Sequence, residues 1–356
     1  MEEKKMATLQ AADLNGIIGE SIDRLINTEL ETRPGPSRGK IAVLYDAARQ
    51  KTGKPLTLAA AEALVRHVKE GATVIVSTGW VIDFWFPKGE ICGMTGAVSV
   101  TRALVNGLGA KVCFLTEEPV VSVYEAVCRA AGVRIFPEGS LARVPRAVIA
   151  KTFPVAEDAA RNAATEYLDA LQPAAVITLE KCARNQKGVY HTGQGNDMSP
   201  TTAKVDLLVE EARRRGILTI GIGDLGNEIG FGKIRETVET VIPYGARCKC
   251  PCGGGMASAV ETDYLIVAAA SNRGGYGLEA CLAAVLDMPE LMHDGVLEQN
   301  MIRAVAGAGA IDSFTVGPTT TDGHGVPMQI SSYLVELLRH LARYKTVKFP
   351  MFAVRA

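Results

Sequence analysis

Residues 217–228 read Ile217-Leu218-Thr219-Ile220-Gly221-Ile222-Gly223-Asp224-Leu225-Gly226-Asn227-Glu228. The first six form a short, nearly continuous apolar run, the kind that a strand buried on both faces shows. Residues 201–215 before it carry helical periodicity and stop at Gly216, a helix-terminating glycine. A helix therefore feeds a buried strand, and that strand opens into a glycine-rich turn holding two carboxylates. Ligands of open parallel sheets bind outside the carboxyl ends of the strands, so this turn is where function is expected.

Working outward, the same unit recurs. A helix is predicted over 17–30, where Ile17, Ile18, Ile22, Leu25 and Ile26 share one face. A breaker cluster over 34–39 follows, then a strand over 41–45 and a helix over 57–70 closed by Gly71. Strands over 73–77, 111–115, 133–136 and 174–179 alternate with helices over 96–108, 120–131 and 156–171. A strand over 264–269 and helices over 277–286 and 330–344 complete the chain. Apolar strands alternating with helices predict an α/β fold, a Rossmann-like, doubly wound, mostly parallel sheet with helices on both faces. Without a repeat or low-complexity linker, 40–356 is expected to be one elaborated domain, preceded by an N-terminal helical extension over 1–39.

Composition narrows the function classes. Of 356 residues, 47% are hydrophobic and 22% charged, which is too apolar for disorder. The net charge of −1 gives no whole-chain drive toward nucleic acid or an anionic membrane, so neither is expected as a partner. No apolar run approaches the ~18 residues of a membrane span, and the charged N-terminus carries no signal-peptide core. A cytoplasmic protein acting on a small molecule is the expectation, with self-association into a homo-oligomer left open. Glycine is the outlier, at 36 residues against roughly 7% on average.

Five of the eight cysteines (Cys92, Cys113, Cys128, Cys182 and Cys281) stand singly among apolar neighbours and read as small buried hydrophobes. The remaining three form Cys248-Lys249-Cys250-Pro251-Cys252, followed by three glycines. Three closely spaced ligands leave a tetrahedral site incomplete, and His324 is remote in sequence. The cluster is expected to be reduced and metal-free.

Each strand-end loop carries polar chemistry. After 73–77 come Trp80, Phe84, Trp85, Phe86 and Glu90, which suit either a substrate lid or a hydrophobic plug. After 174–179 comes Glu180, then a polar stretch with Tyr190, His191 and Asp197. Residues 221–226 formally match G-x-G-x-x-G, yet Asp224 lies where a pyrophosphate would sit and would repel it. No nucleotide cofactor is therefore expected. Asp224, Asn227 and Glu228 in one turn suit a cation or an ammonium group instead, with Mg²⁺ or Mn²⁺ as candidates. After 264–269, Ser271-Asn272-Arg273-Gly274-Gly275 offers backbone N–H groups and a guanidinium to a carboxylate.

The string Gly221-Ile-Gly-Asp224-Leu-Gly-Asn227-Glu228-Ile-Gly-Phe-Gly232, with Asp263-Tyr-Leu-Ile and Ser271-Asn272-Arg273-Gly274-Gly275-Tyr276 some 40 residues on, resembles the D-glutamate cyclase C-terminal domain family. That family typically shows Gly-Asp-Gly-Gly-Asn-Glu-Ile-Gly-Met-Gly and Ser-Asn-Trp-Gly-Gly-Tyr, and a strand-end Glu that Glu180 matches. The likeness runs from about residue 41 onward. It implies a Rossmann-like fold and a carbon–oxygen lyase (hydro-lyase) activity converting D-glutamate to 5-oxo-D-proline plus water. Three positions depart from the pattern: Cys92 replaces an acidic residue, Arg273 the tryptophan, and Leu225 a glycine. They leave room for a related amino-acid or lactam substrate.

Closing an amine onto its own γ-carboxylate needs a base near the ammonium and an acid, or a divalent cation, near the leaving oxygen. Glu180, Asp224 and Glu228 are the expected catalytic residues, with Asp224 and Glu228 also the expected metal ligands. Asn227, Asn272, Arg273, Gly274, Gly275 and Glu90 are expected to bind substrate. Two other classes stay open: a nucleotide-dependent oxidoreductase using residues 221–226, and a non-catalytic amino-acid-binding module.

Overall fold

The computed structural model describes residues 2–31, 35–316 and 320–343, with side chains from residue 14 onward. Strands β1 (Thr73–Ser77), β2 (Lys111–Thr116), β3 (Val148–Thr152), β4 (Ala175–Leu179), β5 (Leu218–Gly223) and β6 (Tyr264–Val267) form one six-stranded sheet. Its order is β3-β2-β1-β4-β5-β6, and every neighbouring pair is parallel. The chain builds outward from β1 in one direction, then returns and builds from β4 in the other. The β1–β4 boundary is therefore the topological switch point, where the loops diverge and leave a crevice.

Alternate strand side chains serve opposite faces. Ile75, Cys113, Leu115 and Val176 meet helices α6 (Glu157–Leu171) and α7 (Val205–Arg214). Val74, Val76, Val112, Phe114 and Ile177 meet the other layer. That layer holds α1 (Glu2–Ile26), α3 (Leu56–His67), α4 (Met94–Gly107), α5 (Glu118–Ala130) and α9 (Ser271–Leu286). Behind it pack α10 (Gly295–Gly307) and α11 (Met328–Ala342). The doubly wound α/β expectation holds. Ile18, Ile22 and Ile26 of α1 are buried in the same core.

Two expected strands differ. Residues 41–45 belong to helix α2 (Ile41–Thr52), because burial falls on Ile41, Leu44 and Ala48 at three- and four-residue spacing while Val43 faces solvent. Residues 133–136 make a single bridge, Ile135 to Val148, and the edge strand is β3. Helices α8 (Arg235–Val241) and α10 were not anticipated. Pro34, first of the expected breakers, and Tyr344, the expected end of the last helix, lie outside the described residues.

Helices α4 and α9 cross at nearly bare backbone. A Cβ on Gly275 would lie 2.8 Å from Gly96 Cα, and one on Gly96 would lie 2.9 Å from Asn272 Cα. This crossing fixes the start of α9 beside the ends of β4 and β5.

Candidate active site

A cleft of about 750 Å³ opens at the carboxyl ends of the strands. Its floor carries Glu180, the residue after β4, and Asp224, the residue after β5. Trp80, Ile82, Trp85 and Phe86 form one lip; Thr192, Gly193, Gln194, Asn196 and Asp197 form the opposite wall; and Ser313, Phe314 and His324 close the third side. A larger, more open hollow of about 830 Å³ lies at the end of β3, where Lys151 is already paired with Glu138.

Carboxylate chemistry dominates the floor. Oxygens of Glu180, Asp224 and Glu228 all lie within 4.8 Å of one another. Burial, then the charge of Glu228, pushes Glu180 up to about 7. Burial, then Glu180 and Glu228, raises Asp224 well above the carboxylate range. Ionising both carboxyls this close without a cation is unfavourable, which favours one proton held between the half-buried Glu180 and the buried Asp224. Ser271 Oγ donates to Glu180, and the Ser271 N–H at the start of α9 donates to Asp224 Oδ2 at 3.0 Å. His324 Nε2 lies 3.4 Å from the same oxygen, with burial holding the ring below its usual range. Glu90 stands buried beside them, raised by desolvation and by Glu180.

Glu228 has a different task. Its carboxylate accepts N–H bonds from Asp224 (2.9 Å), Leu225 (3.0 Å) and Gly226 (2.6 Å), closing the turn on itself. The glycines serve that closure. A Cβ on Gly221 would meet Ile229 O at 2.2 Å, and one on Gly223 would meet Glu228 Cδ at 2.8 Å. The backbone donors of a phosphate-binding turn are thus filled by the protein's own carboxylate. Asn227 lines the cleft, its Nδ2 donating to His191 O, while its buried Oδ1 has no partner among the described residues.

Other expected residues are placed elsewhere. Asn272 is fully buried and spans helix packing, accepting from Gly96 N and donating to Ile91 O and Asp322 O. Arg273 is buried against Glu31 and Asp322, and it donates to Thr28 O. Gly274 packs on Ile222 and Gly275 on Gly96. None of these four lines the cleft. The helix start does offer an N–H to a carboxylate, but that carboxylate is Asp224.

The aromatic loop forms a lip. Trp80 and Phe86 pack at 5.4 Å between centroids, and Trp80 Nε1 points at Met198 Sδ, while Phe84 is fully exposed. The sequence assigns no site role to His324, and to Ser271 only a backbone N–H in the stretch 271–275. The first lies between glycines in a loop that no strand precedes, and the second is an ordinary serine until the fold sets it between two carboxyls.

The cysteine cluster has a fourth member. His191 Nε2 lies 3.2 Å from Cys250 Sγ and 3.6 Å from Cys252 Sγ, and Cys248 Sγ lies 3.5 and 3.4 Å from those sulfurs. The segment after β4, folded against residues 248–252, thus places beside the three thiols the fourth side chain that the sequence reading lacked. All eight cysteines are free thiols.

Comparison with known proteins accords with this geometry. The sequence matches the family described as D-glutamate cyclase-like, C-terminal, over residues 32–337. It is also 26% identical over 224 residues to the human D-glutamate cyclase, mitochondrial, an alignment covering 60% of this chain and 33% of that protein. The chain thus matches about a third of the length of this curated relative. No described helix is long and apolar enough to cross a membrane.

Proposed function

The chain belongs to the D-glutamate cyclase-like, C-terminal family, and from that premise we propose that the cleft cyclises D-glutamate, or a related amino-acid or lactam substrate, as a carbon–oxygen lyase. One observation supports the reading: the carboxyl oxygens of Glu180 and Asp224 lie within 4.8 Å of each other at the carboxyl ends of the adjacent strands β4 and β5, where desolvation raises both groups. Such a pair holds a base and an acid side by side.

The reaction balances with these two groups. The substrate ammonium gives one proton to the ionised member of the pair, freeing the nitrogen lone pair. Nitrogen then bonds to the γ-carboxyl carbon. The protonated member delivers its proton to the departing oxygen, and the second nitrogen-derived proton follows. One C–O bond breaks and one C–N bond forms; nitrogen gives up two protons, the leaving water carries two, and the pair ends with the single proton it began with. Asn227 Oδ1, buried and without a partner among the described residues, suits a substrate N–H.

The cleft lining carries Glu90, Glu180, Asp197 and Asp224 and, among the described residues, no lysine or arginine. A dicarboxylate entering it needs its charge offset. Glu180 and Asp224 have the hard oxygen donors that would hold Mg²⁺ or Mn²⁺, whereas Glu228 has both oxygens committed to backbone N–H groups. A bound cation would polarise the γ-carboxyl and neutralise the leaving oxygen. The self-filled turn at 221–226 speaks against a dinucleotide.

The test is chromatographic. Purified chain is incubated with D-glutamate, L-glutamate or 5-oxo-D-proline, with and without chelator and added Mg²⁺ or Mn²⁺. Conversion between D-glutamate and 5-oxo-D-proline is expected, and Asp224→Asn should lower turnover at least ~10²-fold with an unchanged melting temperature. D-glutamate binding without conversion would instead support the binding module. A melting temperature raised by NADH alone would support the oxidoreductase.

A further inference from the structure

We propose that Cys248, Cys250, Cys252 and His191 form a structural zinc site that staples the far wall of the cleft. The four ligand atoms lie within 4.8 Å of one another. Ideal tetrahedral zinc would set sulfurs about 3.8 Å apart and sulfur to nitrogen about 3.6 Å apart, from bonds of about 2.3 and 2.0–2.1 Å. Two of the three sulfur pairs lie 3.4 and 3.5 Å apart and two of the three sulfur–nitrogen pairs 3.2 and 3.6 Å, and the other two pairs fall within the same 4.8 Å. The first four separations lie within about 0.4 Å of the tetrahedral values.

The surroundings are those of a metal knuckle. Gly254 N and Asn185 Nδ2 donate to Cys252 Sγ at 3.4 and 3.5 Å, bonds that favour a thiolate over a thiol. Gly255 takes φ +75° and lies so close to Gly245 O that a Cβ would approach to 2.0 Å. The tight loop that gathers the sulfurs therefore depends on this glycine. Three sulfurs and one imidazole select zinc over the hard cations suited to the carboxylate floor. Four protein ligands leave no open position, so the role is structural.

What the site would hold together is specific. His191 opens the strip 191–197 that lines the cleft, and its carbonyl accepts from Asn227 Nδ2. Lys249 N donates to Gly195 O from the cysteine side. On the cysteine side, Asn185 Nδ2 also donates to Gly255 O and Lys187 Nζ to Cys252 O. A bound metal would fix the wall on which Thr192 and Asp197 sit. Binding would release the thiol protons of the three cysteines.

The experiment uses the full chain purified without added metal. Stoichiometric zinc is expected by elemental analysis, released when the thiols are modified with a mercurial. Co(II) loaded into stripped protein should give the intense visible bands of a tetrahedral thiolate-rich centre. Cys250→Ser and His191→Ala should each weaken zinc binding at least ~10²-fold, beyond the loss typical of an outer-shell partner. Glu180→Gln should retain full zinc, which separates this site from the catalytic floor. Zinc removal should speed proteolysis within 186–197 and 244–256. Metal-free protein with freely titrating thiols, a disulfide inside the cluster, or zinc lost in Glu180→Gln would each overturn the assignment.

Discussion

Glu180 is held at φ +46°, a left-handed backbone that a residue with a Cβ adopts at a cost on the order of 1–3 kcal/mol. That backbone turns the chain sharply at the end of β4. Its neighbour Gly93, at φ +86°, makes the room: a Cβ there would lie 2.6 Å from Glu180 Cβ and 2.3 Å from Thr78 Oγ1. Gly93→Ala should therefore lose about 1–3 kcal/mol through its backbone alone. It should also push Glu180 off its position, and a displacement near 1 Å is enough for a ~10²-fold loss of turnover. Denaturant midpoint and steady-state rate measure the two effects separately, and a variant with wild-type turnover would show that Gly93 does not position Glu180. The glycine was visible in the sequence, but its reason was not: a close approach between segments 87 residues apart leaves no local pattern. Asp224 and Glu180 were legible because each follows an apolar strand directly. The task of Glu228 was not, since a carboxylate that closes its own turn reads like one that faces a ligand.

The α4–α9 crossing decides where the first turn of α9 lies, and so whether Ser271 reaches Asp224. Gly275→Ala would drive a Cβ to 2.8 Å from Gly96 Cα and from its carbonyl oxygen, which are backbone atoms with no rotamer to yield. The expected loss is about 1–3 kcal/mol from overpacking, larger than the ~1 kcal/mol that alanine gains over glycine in a helix. Gly307, the last residue of α10, has nothing within 4 Å of its would-be Cβ. Gly307→Ala should accordingly stabilise, by up to ~1 kcal/mol. Opposite signs for the two substitutions in urea titrations are the expected outcome, and two stabilised variants would mean that the helices can part without loss. The pair also explains what the sequence could convey about elements. Central strands β1, β4 and β5 read correctly because burial on both faces imposes a continuous apolar run. The edge strand β3 has a full strand partner on one side only and carries Lys151 and Thr152 at its end, so its pattern is weak. Residues 41–45 fit a strand until a partner surface selects Ile41, Leu44 and Ala48 as one face.

At the scale of the whole molecule, two buried titratable centres make stability depend on pH in the same direction. The cleft floor is one. The other lies in the helical layer, where His293 sits fully buried between Glu279 of α9 and Glu298 of α10. Tyr276 and Ser331 also donate to Glu298, and Arg102 pairs with Glu279, so the network joins α4, α9, α10 and α11. Burial alone would lower His293, but the carboxylates of Glu279 and Glu298 outweigh it and raise the ring from 6.5 to about 9. A folded-state pKa above the unfolded one stabilises fully below pH 6.5, and the stabilisation is lost as pH rises through about 9. Its full size is on the order of 3 kcal/mol. Glu180 follows the same rule lower down, its contribution present below 4.5 and lost as pH passes about 7. Wild-type stability should therefore decline from mildly acidic pH toward pH 9. His293→Gln should be less stable near neutrality, because two buried carboxylates lose their cation, and its decline between 6.5 and 9 should be flatter. Glu180→Gln should flatten the lower window and leave the upper one intact. Urea denaturation across this range separates the two centres, and a wild-type profile flat between pH 6.5 and 9 would mean that His293 is not charged in the folded protein.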